Sequence, residues 1–461
     1  MSLLDATDPR PVHFVGIAGA GMRALAELVV RRGVAVTGCD AALGDAGDLQ
    51  ALGVALEEGH AARHVADARA VVVSSAVPRD LPELAAARAG GLPVVRRAEA
   101  LGEAVSGGTL IAVAGTHGKT TTTVMTTEAL SSAGLHPTGV VGGRVGQWGA
   151  NLRYDGDRLF VVEADEYDRS FLALTPTIAV VTNVEADHLD IYRDLEDIRN
   201  TFAAFLAPAR TIVLCADDAG AASLHVATGA KVIRYGIDSA DARLVGTPTS
   251  HGDGRTAVAV RFDGEALGEL ALRVPGLHNV RNALAALACG LALGATFERL
   301  RPGLEGFHGV ERRFQRLGQA AGVDVVDDYA HHPTEVAATI SAAREAYPGR
   351  RIVVAFQPHL YSRTRDFADG FADALAAGDA LFLTALYPSR EQPIAGVSSA
   401  LIADRMLRAG STIAWTGTRD AVAEALAEFV REGDVVLTMG AGDITRTGPE
   451  LLALLATGGA A

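Results

Sequence analysis

The chain has 461 residues, of which 49% are hydrophobic, and a formal net charge of -14. This length exceeds one ordinary hydrophobic core and predicts about three domains of roughly 150 residues each. The negative charge argues against a nucleic-acid or anionic-membrane surface, and no apolar run reaches the ~18 residues that a spanning helix needs.

The N-terminal sequence MSLLDATDPRP lacks the basic and apolar regions of a leader segment, so a cytoplasmic protein is predicted, with no membrane and no nucleic acid as partners. Cys39, Cys215 and Cys289 have no CxxC spacing. The spacing therefore indicates neither a disulfide framework nor a structural zinc site, and each cysteine is predicted to be a small buried residue.

Apolar runs of strand length alternate with helical stretches, which is typical of α/β domains with parallel sheets. In chain order the runs are residues 12–17, 34–38, 71–74, 110–114, 159–162, 178–181, 211–214, 323–326, 352–356, 380–383 and 435–439. Residues 240–274 predict short strands added antiparallel to the middle sheet. Glycine-rich breaks near residues 106–108 and 303–309 predict domains at 1–106, 107–310 and 311–461.

A glycine-rich turn follows the first predicted strand. Gly19, Gly21 and Ala24 fit the GxGxxG/A fingerprint, and Asp40 ends the second strand near the position of a ribose-binding acid. Backbone amides at a helix N-terminus bind any nucleotide diphosphate, so the pattern does not single out NAD. A tight strand-to-helix turn without a ligand is the alternative.

A second glycine loop, GTHGKTTT at residues 115–122, joins a predicted strand to a predicted helix. The pattern predicts that backbone amides cradle phosphates, that Lys119 neutralises the terminal ones and that the Thr120 hydroxyl reaches Mg²⁺. The strict Walker spacing is not met because Val113 stands five positions before Gly118. The loop predicts these ATP-binding residues: Gly115, Thr116, His117, Gly118, Lys119, Thr120 and Thr121.

Acidic residues follow two further predicted strands. Glu163 comes directly after residues 159–162, and TNVEADH at 182–188 follows residues 178–181. Because ligands collect beyond the carboxyl ends of parallel strands, these side chains are candidates to hold Mg²⁺. For Asp165, Glu185 and Asp187 a solvated acidic loop is an equal interpretation.

The ordered motifs resemble those of the Mur ligases over most of the chain. The matching segments are residues 13–22, 115–122, 163–171, 182–190, 276–282, 307–314, 327–335 and 356–359. The resemblance implies a three-domain α/β fold with an N-terminal Rossmann-like domain, a central P-loop ATPase-type domain whose mostly parallel sheet carries helices on both faces, and a C-terminal Rossmann-like domain. It implies no obligate protein partner.

The resemblance is strongest to the alanine-adding branch of the family, which joins L-alanine to UDP-N-acetylmuramate in peptidoglycan precursor synthesis. ATP would first convert the lactyl carboxylate into an acyl phosphate, which the amine of L-alanine then attacks. Other branches use a carbamylated lysine near the metal. Here Lys119 is committed to phosphate and Lys231 lies far downstream, so Glu163 and His188 are expected to serve instead.

Site residues carried over from the family fall into five groups. The expected catalytic residues are Lys119, Glu163, His188 and His331, and the expected metal ligands are Thr120, Glu163 and His188. The sugar nucleotide is expected at Gly16, Gly19, Gly21, Met22, Asp40, His60, Ser74 and Ser75. ATP is expected to contact also His278, Asn279, Asn282 and Arg313, and L-alanine is expected at Asp328, Tyr329, His331 and Arg363.

Several of these residues have structural alternatives. Asp40, His60, Ser74 and Ser75 fit helix caps or turns equally well, and His188 fits a histidine at a helix start. His331 and His332 precede Pro333 and Glu335, so they fit a helix N-terminus as well as a binding role. Leu360 stands where some family members have a second arginine, which leaves Arg363 alone to pair with the alanine carboxylate.

Three rival functions remain open at this point. A recycling ligase would join the same sugar nucleotide to a preformed tripeptide, an NAD dehydrogenase would use the first glycine loop, and a UDP-sugar binder would catalyse nothing. The first rival differs in having Phe at the position of Tyr329 and in lacking the segment Gln357-Pro358-His359.

Overall fold

The computed structural model describes residues 3–44, 46–74, 77–226, 229–237, 239–252, 255–389 and 391–458. Its strands form three sheets. By internal contacts the chain divides into two compact units. The first comprises Met1–Thr247, Ala259–Leu270 and Arg281–Phe307, and the second comprises Pro248–Val258, Ala271–Val280 and His308–Ala461.

The first sheet has five parallel strands in the order β3-β2-β1-β4-β5. The strands are β1 (Val12–Val15), β2 (Val36–Asp40), β3 (Ala55–Glu58), β4 (Ala70–Val73) and β5 (Val94–Arg96). The helices are α1 (Ala20–Arg31), α2 (Gly47–Ala51), α3 (Pro82–Ala89) and α4 (Arg97–Val105). All four residues of β1 are buried, as expected for a central strand covered on both faces.

The second sheet has ten strands in the order β15-β14-β13-β12-β11-β10-β6-β9-β7-β8. These are β6 (Thr109–Ala114), β7 (Thr138–Val145), β8 (Ala150–Arg153), β9 (Leu159–Glu163), β10 (Ile178–Val181), β11 (Thr211–Cys215), β12 (Lys231–Gly236), β13 (Leu244–Gly252), β14 (Arg255–Phe262) and β15 (Glu265–Leu272). The accompanying helices are α5 (Lys119–Ser132), α6 (Leu195–Leu206), α7 (Ala219–Ala222), α8 (Leu277–Ala292) and α9 (Phe297–Glu305).

Strand β6 lies between β9 and β10 and is parallel to both. Val113 in β6 is opposite Glu163 in β9, and Ala114 is opposite Val181 in β10. The carboxyl ends of the three strands therefore meet at one edge, and their loops lie side by side. At the far side of the sheet, β7 and β8 pair antiparallel, which the sequence did not predict.

The third sheet has the order β16-β17-β21-β18-β19-β20 and is parallel except for the β16–β17 pair. Its strands are β16 (Gln315–Ala320), β17 (Val323–Asp328), β18 (Ile352–Phe356), β19 (Ala380–Thr384), β20 (Trp415–Gly417) and β21 (Val435–Met439). Its helices are α10 (Pro333–Ala346), α11 (Tyr361–Asp366), α12 (Ala368–Leu375), α13 (Ala400–Arg408), α14 (Val422–Phe429) and α15 (Thr447–Gly458).

Alternate residues of this third sheet pack on opposite faces. Val354 and Leu437 join one apolar cluster with residues of α10, α12 and α13, while Val353 and Val436 join another with α14 and α15. Both faces are thus covered by helices, which explains why the strands appear in the sequence as continuous apolar runs.

The predicted α/β class and three sheet-containing domains are confirmed. The three sheets lie within residues 12–96, 109–272 and 315–439. The exact boundaries at 106 and 310 stay predictions. Residues 240–274 do add strands to the middle sheet, but β13 pairs parallel with β12, so the predicted antiparallel addition is wrong at this junction. Within the described residues, no helix is both long and apolar enough to cross a membrane. All three cysteines are buried, as predicted.

Candidate active site

The second glycine loop connects β6 to α5, and two of its glycines are required by its shape. Gly115 has φ 141° and Gly118 has φ 80°, a left-handed region that favours glycine. A Cβ at Gly115 would overlap Thr182 Oγ1, and one at Gly118 would lie 2.7 Å from Asn282 Oδ1. The loop is therefore packed closely against β10 and α8.

The helix that follows the loop is held inside the unit. Of its residues, Thr122, Thr123, Val124, Met125, Thr126, Thr127, Ala129 and Leu130 are fully buried. The buried hydroxyls of Thr123, Thr126 and Thr127 donate to carbonyls one turn earlier at 2.7–2.8 Å. Because these hydroxyls are hydrogen-bonded, burying this threonine-rich helix costs little free energy. Thr122 Oγ1 donates to Asn282 Oδ1 at 3.0 Å.

Two residues after β10 fix the middle of the loop. Asn183 Oδ1 accepts from the His117 amide at 2.7 Å, and Asn183 Nδ2 and Thr182 Oγ1 donate to the His117 carbonyl at 3.0 and 2.6 Å. In this structure the His117 amide is therefore hydrogen-bonded within the protein, to the Asn183 side chain. Neither Thr182 nor Asn183 was among the expected site residues, although both belong to the recognised TNVEADH segment.

Lys119, the first residue of α5, points back into its own loop. Its Nζ donates to the carbonyls of Gly115 and Thr116 at 2.7 and 3.1 Å and to Glu166 Oε1 at 2.9 Å. Burial raises the pKa of Glu166 to about 7, although the lysine charge opposes this shift. Glu166 is 3% exposed and was not selected from the acidic run 163–166.

Thr120 and Glu163, two expected metal ligands, are in direct contact. Thr120 Oγ1 donates to Glu163 Oε1 at 2.8 Å, and the Gly142 amide donates to Glu163 Oε2 at 2.7 Å. A hydroxyl and a carboxylate beside a glycine loop are the oxygen donors that Mg²⁺ prefers, so the residues present fit this ion.

The His188 ring lies within 4 Å of two carboxylates, those of Asp187 and Glu166. Its Nε2 is 3.8 Å from Glu166 Oε1 and 3.7 Å from Asp187 Oδ2, and its ring meets Tyr167 edge-on at 5.1 Å. His188 has φ 53°, which is unusual for a residue other than glycine and fixes the direction of its side chain. The Glu166 carboxylate thus lies between the Lys119 ammonium group and the His188 ring.

The first glycine loop is closed by the strand beside it. The amides of Gly16 and Ile17 donate to the Cys39 carbonyl at 2.8 and 3.1 Å, and the Ala18 amide donates to Asp40 Oδ2 at 2.9 Å. Asp40 thus stabilises the turn through its side chain, which is the structural role given above as the alternative to ligand binding. Gly19 is the N-cap residue of α1, and Met22 is buried in that helix.

The remaining expected sugar-nucleotide residues are more scattered. His60 lies 3.4 Å from Glu83 Oε1, Ser74 is half-buried, and Ser75 lies outside the described residues. One cation near this loop was not predicted. Arg97 Nη1 is 3.1 Å from the position of a Cβ on Gly21, and its Nη2 is 4.0 Å from Asp165 Oδ2.

In the second unit, Asp328 is a buried carboxylate at the end of β17. It accepts from the amides of Phe314 and Ala330, each at 2.7 Å. Burial raises its pKa to about 6, while the charge of Arg313 acts in the opposite direction. Next to it, the guanidinium carbons of Arg312 and Arg313 lie 4.7 and 5.2 Å from the Tyr329 ring centre.

The two histidines that follow begin α10. His332 is the N-cap residue, Pro333 is the first helical residue, and the Glu335 carboxylate accepts from the His331 amide at 3.0 Å. The backbone of His331 and His332 therefore forms a helix N-terminus, which was the structural alternative to a binding role. The His331 ring still meets Tyr329 at 5.0 Å and His359 at 6.2 Å, so three aromatic rings are grouped.

The remaining expected residues of this unit lie in α11 and at the start of α8. Arg363 is buried in α11, and Leu360 caps the helix with φ 68°. Asn279 Nδ2 donates to the Pro275 carbonyl at 2.7 Å, and His278 packs against Gly276. Their expected contacts with ligands stay predictions.

Three family models match the chain in succession: the Mur ligase family catalytic domain at residues 11–109, the Mur ligase middle domain at 113–290, and the Mur ligase glutamate ligase domain at 312–442. A UDP-N-acetylmuramate–L-alanine ligase of Saccharopolyspora erythraea is 46% identical over 458 residues, covering 96% of this chain and 92% of the relative. The enzyme of that name from a Geobacter species is 43% identical over 446 residues, covering 96% of each chain.

Solved structures agree with this result. The UDP-N-acetylmuramate–alanine ligase of Thermotoga maritima superposes with a TM-score of 0.81 at 29% identity, covering 97% of this chain and 99% of its own. A murein peptide ligase of Psychrobacter arcticus has the same fold, with a TM-score of 0.70 at 24% identity and coverage of 97% and 99%. With three successive family models and whole-length relatives in agreement, the chain belongs to the Mur ligase family.

Proposed function

We propose that this chain is an ATP-dependent ligase that joins L-alanine to the lactyl carboxylate of UDP-N-acetylmuramate. The observation that carries the choice of substrates is whole-length likeness at 43–47% identity to relatives that bear the name of this reaction. The products would be UDP-N-acetylmuramoyl-L-alanine, ADP and phosphate.

The second glycine loop supplies the phosphate site in this proposal. Amides at the start of α5 face the phosphates, and Thr120 and Glu163 hold Mg²⁺, with His188 as the expected third ligand. When bound, Mg²⁺ would offset the negative charge that builds up on the transferred phosphoryl group. The contact between Thr120 and Glu163 supports this assignment because it joins residues 43 positions apart.

Lys119 has to change partners during the reaction. Its present ligands are two loop carbonyls and Glu166, and phosphate oxygens would replace some of them. Glu166, with a pKa raised to about 7 by burial, can take up a proton when the lysine leaves it. We therefore add Glu166 to the proposed site as a positioning residue for Lys119.

The sugar nucleotide is proposed to bind at the first glycine loop, where α1 begins. Its diphosphate would face the amides near Gly19 and Gly21, and Arg97 beside Gly21 would supply the positive charge. The acidic net charge of the chain makes such a local cation necessary for an anionic ligand.

The amino acid is proposed to bind in the second unit. Asp328, Tyr329 and His331 are grouped there, and Arg363 would pair with the alanine carboxylate. His278, Asn279, Asn282 and Arg313 are proposed contacts for ATP. Positioning of the amine against the acyl phosphate accounts for most of the rate in such a reaction.

One assay separates this function from its rivals. The protein is incubated with ATP, Mg²⁺, UDP-N-acetylmuramate and either L-alanine, a preformed tripeptide or no amine, and both ADP and ligated product are measured. We expect product and ADP in equal amounts with L-alanine. Faster ligation of the tripeptide would favour the recycling ligase, and ADP release without any amine would contradict ligation.

A further inference from the structure

Beneath the first glycine loop, five side chains from separate segments converge. They are His13 in β1, Cys39 in β2, His60 after β3, His64 in the helical turn Ala62–Val65, and Glu83 in α3. The side chains of His64 and Glu83 are 1% and 0% exposed. Imidazole, thiol and carboxylate are the three groups that bind Zn²⁺ in proteins.

The distances within this cluster match those between ligands of one ion. Cys39 Sγ lies 3.7 Å from His60 Nδ1 and 3.4 Å from Glu83 Oε1, and those two atoms are 3.4 Å apart. With bond lengths of about 2.0–2.3 Å, tetrahedral ligands of zinc are separated by roughly 3.3–3.7 Å. The three atoms therefore have the spacing of one face of a zinc tetrahedron.

Hydrogen bonds within the protein account poorly for this arrangement. Glu83 Oε1 alone is approached by the Ala61 amide at 2.6 Å, His64 Nδ1 at 2.9 Å, and also by Cys39 and His60. Glu83 Oε2, equally buried, has no hydrogen-bond partner among the described residues. A carboxylate shares its acceptor capacity over two oxygens, so four groups at one oxygen exceed what it accepts.

We propose that Cys39, His60 and Glu83 bind a zinc ion in the first domain, separate from the magnesium of the ligase reaction. In this proposal His60 serves the metal and not the sugar nucleotide for which the family resemblance suggested it. Sulfur and nitrogen donors select zinc over Mg²⁺, which takes oxygen ligands. Binding releases the thiol proton, and the half-buried His60 gives it a path to solvent. His13 Nε2 contacts Cys39 Sγ at 3.3 Å but is not within 4.8 Å of all three ligand atoms, so it belongs to the surroundings of the site and not to its ligands.

The ion would be structural in this position. Cys39 contributes its carbonyl to the amides of Gly16 and Ile17, so the residue that binds the metal also closes the glycine loop. A zinc ion would tie β2, the turn after β3 and α3 together beside that loop. This site was not predicted from the sequence, because the five residues have no motif spacing and only the fold brings them together.

The test uses the full chain without an affinity tag, stripped with a chelator and kept in saturating Mg²⁺. Zinc is added and the bound metal is counted by mass spectrometry after gel filtration, and Co²⁺ is substituted to record its absorption spectrum. The variants are Cys39→Ser and Glu83→Gln. Cys289→Ser is the control, because Cys289 is also fully buried but lies in α8, outside the cluster.

We expect one zinc per chain for the wild type and for Cys289→Ser, and a cobalt spectrum with a thiolate charge-transfer band. Cys39→Ser should lose that band, and both cluster variants should bind zinc more than about tenfold more weakly. No retained zinc, a cobalt spectrum without a thiolate band, or unchanged affinity in Cys39→Ser would overturn the proposal. If Cys39→Ser does not fold, the wild-type cobalt spectrum alone decides.

Discussion

Glu163 is the last residue of β9 and Glu166 follows three positions later, but the two carboxylates have different partners. Glu163 accepts from Thr120 and the Gly142 amide, whereas Glu166 is paired with Lys119. The sequence predicted an acidic site after β9 because an apolar strand ran directly into carboxylates. It did not predict which carboxylate meets the lysine, since that depends on the helical turn Tyr167–Ala173, where Asp168 and Arg169 have positive φ.

Substitution of Glu163 tests the metal assignment. Glu163→Gln keeps the size of the side chain but removes its charge, so kcat should fall by about a hundredfold, as for loss of one electrostatic group in an active site. Affinity for UDP-N-acetylmuramate, measured by calorimetry, should be unchanged. Glu196→Gln, an exposed carboxylate in α6, is the control, and equal rates in both variants would remove Glu163 from the site.

Asp328 makes stability depend on pH. Its pKa is raised from 3.8 to about 6 by burial, so the native state binds the proton more tightly than the unfolded state. The stability gained from this proton is fully present below about pH 3.8 and is lost as the pH rises through 6.

Between pH 5 and 7.5, the wild type should lose about 1 kcal/mol of unfolding free energy relative to Asp328→Asn, which does not titrate. Chemical denaturation at the two pH values measures this difference. If the difference between wild type and variant instead stayed constant over this range, then Arg313 and the two amide donors would offset burial, and the pKa would not be raised.

At the level of elements, α5 and its loop depend on glycines that have both unusual φ and close neighbours. Gly118 and Gly294 have nearly equal φ, 80° and 83°, but a Cβ at Gly118 would lie 2.7 Å from Asn282 Oδ1, whereas at Gly294 it would meet nothing within 4 Å. An alanine substitution at Gly294 therefore introduces backbone strain alone, whereas one at Gly118 introduces both strain and steric overlap.

Gly294→Ala should cost about 1 kcal/mol of stability, the strain of a left-handed residue with a side chain. Gly118→Ala should cost more and should also weaken ATP binding, because Asn282 and the start of α5 must move apart. Thermal unfolding and ATP titration of both variants provide the measurements. Equal losses of stability would show that overlap at Asn282 has no effect.

The strands show what the sequence could and could not predict. Central strands such as β1 and β6 were found because they are apolar on both faces. The edge strands β3 and β20 were missed, since their residues are mostly exposed or half-buried and resemble loops. The β7–β8 pair was missed because glycines interrupt its apolar run.

For the whole molecule, the order of motifs predicted more than any single motif did. The first glycine loop alone fitted NAD as well as UDP, and only its succession with the later motifs favoured a sugar nucleotide. The proposed zinc site could not be predicted in this way, because its residues belong to no sequence motif and only the fold brings them together. Contacts between distant segments, such as Lys119 with Glu166, likewise required the structure.

In the proposed reaction, ATP activates the lactyl carboxylate as an acyl phosphate before L-alanine attacks. UDP-N-acetylmuramate labelled with ¹⁸O in that carboxylate is converted with ATP, Mg²⁺ and L-alanine, and the released phosphate is analysed by mass spectrometry. We predict one ¹⁸O atom in phosphate for each amide formed, because the oxygen that attacks the γ-phosphorus leaves with it. Amide formation with unlabelled phosphate would contradict this mechanism.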